Sequence, residues 1–337
     1  MRTFLVIAFK MFSLLFASLL TSALAHGSHG HDHDHGLIDC EAIELEEYTL
    51  QTHIYGVFII LAVSALGIFG SIWLGTKKSN SVATALQLVK MFGIGIIAGT
   101  AWIHLLPHAF EKFSSPCLPE SMSRYGISFV GLFGLIAAFL VQLLEVGSSR
   151  HNHSIHAHEE QVLPIKEKES SELAHIQHSS IIGTYVLEFG ILTHSLVIGL
   201  ALGVCPDDEY TTLLIAVAFH QLFEGMALGS LIATTVLSLT TKIYLGLLYP
   251  LTTPAGIVIG ILVRESFNEN AAAAIVTQGI LDSLSSGILI YTTYCSLMGD
   301  EINHHSGFKA YSPIFKVACF LMMYLGAAAM AVLALWA

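Results

Sequence analysis

"FHQLFEGMALGS", residues 219–230, decides how this chain is read. Its Phe, Leu, Met and Ala suit lipid, yet His220, Gln221 and Glu224 interrupt it. An ionisable group at mid-bilayer costs about 2.5–3.5 kcal/mol on insertion scales, so it is retained where it has a use. His220 and Glu224 stand four residues apart, which puts both on one helix face with Gln221 beside them. Imidazole nitrogen with carboxylate oxygen suits Zn²⁺ or Fe²⁺ and suits soft Cu(I) poorly. The competing reading is that the two side chains pair only with each other and hold helices together.

The rest of the chain shares this apolar character. Its 337 residues are 54% hydrophobic and 12% charged, with mean hydropathy +0.70. A soluble domain carries about 25% charged residues, so the composition predicts an all-α polytopic membrane protein. Eight apolar spans follow an N-terminal leader, near 52–75, 88–110, 125–147, 181–204, 211–236, 243–263, 271–294 and 312–336. The leader, residues 1–25, has Arg2 and Lys10 before "MFSLLFASLLTSALA" and ends in the small-residue site Ala23-Leu24-Ala25, the pattern of a signal peptide. Residues 26–50 are then an exported histidine-rich segment, 51–147 hold the first three spans, 148–180 form a polar loop and 181–337 hold the other five.

Charge sets the expected orientation. With residues 26–50 outside, Lys77, Lys78, Lys90, Arg150, Lys166, Lys168, Lys242, Lys309 and Lys316 fall on the cytosolic side, and only Lys112, Arg124 and Arg264 fall outside. Both mature ends then face out and the 148–180 loop faces the cytosol, which leaves the sequon Asn152-His153-Ser154 unused. The net charge of −11 resides mainly in the N-terminal segment and loops, and the basic residues form no patch, which argues against nucleic acid as a partner. The bilayer itself is the surrounding partner. Among five cysteines there is no CxxC pair, so a thiolate zinc site is not indicated. Cys40, Cys117 and Cys205 all fall outside, where one disulfide can form, and their odd number leaves the pairing open.

Other spans add polar groups at depth. The fourth, "LTHSLVIGLALG", places His194 and Ser195 at mid-depth, with Glu188 nearly two turns earlier. A bundle would let His194 join His220 and Glu224 around one ion, with Ser195 and Gln221 adjacent. The second span, "AWIHLLPHAFEKF", has His104 and His108 four apart with Pro107 between them. These read either as a second, outer-side ion site or as interfacial histidines near headgroups. Asp282 of the seventh span, one turn from Gln278, is a pathway group or a hydrogen-bonding hub. Pro250 and Pro254 flank Thr252 and Thr253 and predict a kinked sixth helix. Gly199, Gly203, Gly225 and Gly229 make small-xxx-small pairs expected to draw the fourth and fifth helices together. Two soluble runs, "HGSHGHDHDHG" at 26–36 and "HNHSIHAH" at 151–158, the latter with His151, His153, His156 and His158, read as metal-catching tracts or as plain histidine-rich linkers.

"HSLVIGLALG", "HQLFEGMALG", "TTPAGIVIG" and "QGILDSLSSGILIY" together resemble the ZIP (Zrt/Irt-like) zinc and iron permeases, closest to their fungal and plant plasma-membrane branch. The eight spans and the histidine-rich loop between the third and fourth agree. The resemblance implies an eight-helix bundle that moves a divalent metal into the cytosol without ATP: zinc first, with Fe²⁺, Mn²⁺ and Cd²⁺ as alternatives and no resident cofactor. It implies His194, His220 and Glu224 as ligands. Relatives with a second site have acids where this chain has Ile198 and Gln221, and asparagine where it has Ser195, so one strong intramembrane site is expected. It further implies that the first, fourth, fifth and sixth helices move against the other four, often in a dimer with a second copy of the chain. Two rival classes remain: an intramembrane metal-dependent hydrolase, for which no HExxH is present, and a histidine-rich metal sensor, which would not need ligands at mid-membrane.

Overall fold

The structure, a computed structural model, describes residue 40, residues 47–156 except 78, and residues 165–335 except 266, 269 and 305. The signal peptide, the 26–36 histidine run and His158 lie outside the described residues, as do the side chains of His151, His153 and His156. Among the described residues, eight helices are long and apolar enough to cross a membrane: α1 Leu50–Gly75, α2 Asn80–Phe113, α3 Gly126–His156, α4 Ile165–Val204, α5 Asp207–Thr234, α6 Leu239–Val263, α7 Ala272–Asn303 and α8 Pro313–Leu333. Helices suit such sequences because each backbone N–H and C=O is satisfied within its own segment, where lipid offers no partner. Local signals set several ends. Ser238 and Ser312 cap α6 and α8 by accepting hydrogen bonds from the amides of Thr241 and Phe315, and Pro313 sits in the first turn of α8. Asp207, Asp208 and Glu209 open α5, where carboxylates favour the positive end of the helix dipole.

The polar stretch expected as a loop at 148–180 is largely helical, since α3 runs on to His156 and α4 begins at Ile165. Glu, Lys, Ala and Leu dominate 165–175, and these are strong helix formers that extend a span past the apolar region. Hydropathy sees only the apolar part of such a helix. At Pro250 and Pro254 α6 continues without a break.

Glycines decide which helices interlock, and their partners differ from the expectation. Gly199 and Gly203 of α4 meet Gly256 and Gly260 of α6; a Cβ on Gly203 would lie 2.4 Å from the Ile257 carbonyl oxygen. Gly225 and Gly229 of α5 meet Ser64 and Ile68 of α1. The small-residue pairs therefore join α4 to α6 and α5 to α1, not α4 to α5. A small-xxx-small pattern specifies that a backbone comes close, without naming the neighbour. Helices α1, α4, α5 and α6 form one packed group through these contacts, while α2 packs on α8 and α7 packs on α3 and on the last turns of α2. The two groups meet where α2 lies against α5 and α7 lies against α4.

One end of the bundle is fastened twice. Cys40 and Cys117 form a disulfide, which joins the segment before α1 to the α2–α3 connection; Cys205 is outside any disulfide. The Asn268 side chain donates to the Cys40 carbonyl at 3.0 Å. Beside this, the His53 ring is stacked between Tyr48 and Tyr210, each 3.9 Å away, and its nitrogens lie 3.1 and 2.9 Å from the carbonyls of Thr49 and Cys205. Arg264 covers the other face of Tyr48 at 3.7 Å. Thr49 donates from its amide and hydroxyl to Asp207 at 2.9 and 2.6 Å. Burial pushes the Tyr48 phenol up to about 12, so it stays a donor to the Gly203 carbonyl, 2.8 Å away, across the physiological range. This stack draws α1, α4, α5 and α6 to a single point.

Candidate metal centre

The centre is assembled from four helices. α5 carries His220 and Glu224 one turn apart on its inner face, both buried. α4 presents His194 at matching depth and α7 presents Asp282. α2 contributes through an irregularity: Thr100–Leu105 is π-helical, immediately before Pro107. Proline has no N–H to give to the carbonyl four residues back, and its ring crowds that carbonyl, so the helix widens there. The widened turns bring His104 and then His108 to the same side.

The side chains converge closely. His194, His220 and Glu224 each offer a ligand atom within 4.8 Å of the other two. His220 Nε2 lies 3.5 Å from Glu224 Oε2. The His104 ring is 5.2 Å from that of His194 and 5.5 Å from that of His220, centre to centre. His108 Nδ1 is hydrogen-bonded to Asp282 Oδ2 at 2.7 Å, and the other Asp282 oxygen is 3.9 Å from His194 Nδ1. His104 and His108 are half-buried and lie toward the disulfide end, whereas His194, His220, Glu224 and Asp282 are buried.

Both nitrogens of His194, Nε2 of His220 and both oxygens of Glu224 are buried without a hydrogen-bond partner. Leaving one buried polar group unsatisfied costs about 1–3 kcal/mol, and charged groups more. A divalent cation would take one nitrogen from each imidazole and a Glu224 oxygen, and two imidazoles with a carboxylate are an incomplete tetrahedral set for zinc. The donor set fits such an ion.

The structure divides the other expected residues. The Gln221 amide nitrogen donates to Thr253 Oγ1 at 2.6 Å and to Ser64 Oγ at 3.4 Å, which ties α5 to α6 and α1, while its Oε1 is buried without a partner. The Gln221 carbonyl accepts from Tyr249 at 2.8 Å. Ser195 is buried beside His194 with an unpaired hydroxyl. Glu188 is buried with both oxygens unpaired and is not among the clustered ligands. His104 and His108, read as an outer-side ion site or as interfacial histidines, adjoin the central cluster, and Asp282 lies between His108 and His194. That bridge was not legible beforehand; its only sequence signal was an acid stranded in an apolar span.

A helical membrane protein with a His/His/Glu cluster at its core is the class that fold and site define. The family model described as "ZIP Zinc transporter" matches residues 50–334. The chain belongs to that family. It is 33% identical to zinc-regulated transporter 1 of Candida albicans over 91% of its own length, and it covers 65% of that relative. It is 31% identical to zinc transporter 3 of Arabidopsis thaliana, covering 97% of this chain and 98% of the relative. It is also 31% identical to Fe(2+) transport protein 1 of Arabidopsis thaliana, covering 86% of each.

Proposed function

We propose that this protein carries a divalent metal ion, zinc first, across the plasma membrane into the cytosol, and that His194, His220 and Glu224 hold the ion in transit. The buried, unpartnered donor set at the meeting of α4 and α5 is the observation that carries this reading. His104, His108 and Asp282 form a second position on the disulfide side, through which the ion reaches the centre. Ser195 and Gln221 flank the ligands, Gln221 as the tie to α1 and α6. Iron(II) is the second reading, favoured by the iron-transporting relative and by donors that serve both metals. A hydrolase is set aside, because the family is one of transporters.

Uptake of radioactive zinc into proteoliposomes, with unlabelled Zn²⁺, Fe²⁺, Mn²⁺ and Cd²⁺ as competitors, tests the reading. Zinc is expected to compete best, with Fe²⁺ next; absence of any saturable flux overturns transport. In the same assay, replacing His151, His153, His156 and His158 by Ser is expected to leave flux clearly measurable, because neutral imidazoles outside the centre bind an ion weakly and exchange it quickly. Complete loss would place those histidines in the essential path.

Orientation has two supports. Positive residues collect at the end away from the disulfide, and disulfides persist in oxidising compartments. Both support a reading in which the N- and C-terminal ends of the mature chain face outside. A membrane-impermeant maleimide is expected to label Cys40 and Cys117 on intact cells only after reduction. Labelling that requires permeabilised cells reverses the topology.

A further inference from the structure

The serine and threonine hydroxyls of α7 differ in their partners, and Ser296 donates to Glu145 of α3 at 2.9 Å. Inside a helix, Ser and Thr ordinarily bond back to a carbonyl about one turn earlier. Thr277, Ser283, Ser286 and Thr292 do this, bonding to the carbonyls of Ala273, Gly279, Ser283 and Ile288. Ser285 and Thr293 do not: they are 1% and 0% exposed, and their hydroxyls have no partner.

These two share a stripe with three neighbours. Gln278, Asp282, Ser285 and Leu289 follow the spacing of a single α-helical face, and Thr293 lies four residues on, where the end of α7 turns π-helical from Thr292. Two contacts fix its direction. Asp282 lies 3.9 Å from His194 of α4, and a Cβ on Gly190 of α4 would meet Leu289 Cδ1 at 2.7 Å. The stripe therefore faces α4, and Ser285 sits between those two points. Thr293 lies about 16 Å beyond Asp282 along the helix, at 1.5 Å per residue. Between the two hydroxyls, Leu289 and Ile288 fill the space against Gly190 and are buried.

We propose that this face of α7 is the route by which the ion leaves the His/Glu centre. Ser285 and Thr293 supply oxygen ligands on the cytosolic side, and Leu289, seated against Gly190, is the apolar seal between them. The inference rests on the reading of zinc uptake through His194, His220 and Glu224. Hydroxyl oxygens hold zinc more weakly than imidazole or carboxylate does, and weak steps let an ion leave a strong site. A buried hydroxyl without a partner gains most from a passing ion, because its oxygen has no other polar contact, whereas a back-bonded hydroxyl already has one.

The test uses full-length protein in proteoliposomes, with Ser285→Ala/Thr293→Val measured beside wild type, the two single variants, Thr293→Ser and His194→Ala. For the double variant, uptake at saturating zinc is expected to fall about tenfold, the scale of one lost polar interaction. Equilibrium zinc binding by the solubilised protein stays at the wild-type level. Thr293→Ser, which keeps the hydroxyl, is expected to recover most of the rate lost in Thr293→Val. A double variant at wild-type rate overturns the proposal, as does a Thr293→Ser variant no faster than Thr293→Val, which would mark a packing effect. Loss of zinc binding in the double variant also overturns it, by placing the hydroxyls in the centre itself. Flux that persists in His194→Ala overturns the underlying site assignment instead.

Discussion

Alanine at His194, His220 or Glu224 is expected to abolish zinc uptake, by at least about 100-fold, while the protein still reaches the membrane. Removing even an outer-shell partner of a metal ligand lowers affinity or activity 10–100-fold; here a direct ligand is lost from a set of three. Glu224 is the extreme case, because its charge is the carboxylate facing His220 at 3.5 Å. Folding is expected to persist, since none of these donor atoms holds a helix through a hydrogen bond. Radioactive zinc uptake at matched surface abundance decides it. Near-normal flux from two of the three variants would remove the centre from the transport path.

The second large effect concerns packing. Gly203→Val is expected to remove folded protein from the membrane, because its Cβ would fall 2.4 Å from the Ile257 carbonyl oxygen and 2.9 Å from the Gly260 Cα. Both obstacles are backbone, so no side chain can rotate to make room. Overpacking relieved by side-chain shifts costs about 1–3 kcal/mol, and a clash with a neighbouring helix backbone exceeds that. Gly70→Ala is the control, because nothing lies within 4 Å of a Cβ there and helix propensity favours alanine. Size-exclusion profiles and thermal melts of the two variants should separate clearly. A monodisperse Gly203→Val protein with a wild-type melting point would show that α4 and α6 can part without loss.

The contrast between these residues shows what the sequence could carry. Eight spans were legible because apolar length is a local property, and His220 with Glu224 because their spacing alone puts them on one face. His194 followed from depth. The partners of the glycines were not legible: close approach is written in one helix, but the neighbour is chosen by the whole bundle. Asp282 shows the same limit, as its pairing with His108 and His194 joins residues 174 apart in the chain and others on a third helix. Gln221 was legible as a neighbour of His220, but the bonds of its amide nitrogen to Thr253 and Ser64 on two other helices were not. The helical ends of α3 and α4 escaped notice because polar helix formers leave no hydropathic trace.

The Cys40–Cys117 bond has a mechanical side. It fixes one end of a short chain to the connection between α2 and α3, and the other end is gripped at Tyr48 and Thr49 by the corner between α4 and α5. Eight Cα-to-Cα steps separate Cys40 from Tyr48, a leash that even fully drawn reaches only about 28 Å. However the two helix groups shift against each other, their disulfide-side faces cannot separate beyond that radius while the bond and the grip both hold. Any displacement between the two groups would thereby be limited covalently at this one face, and reduction of the bond would remove the limit.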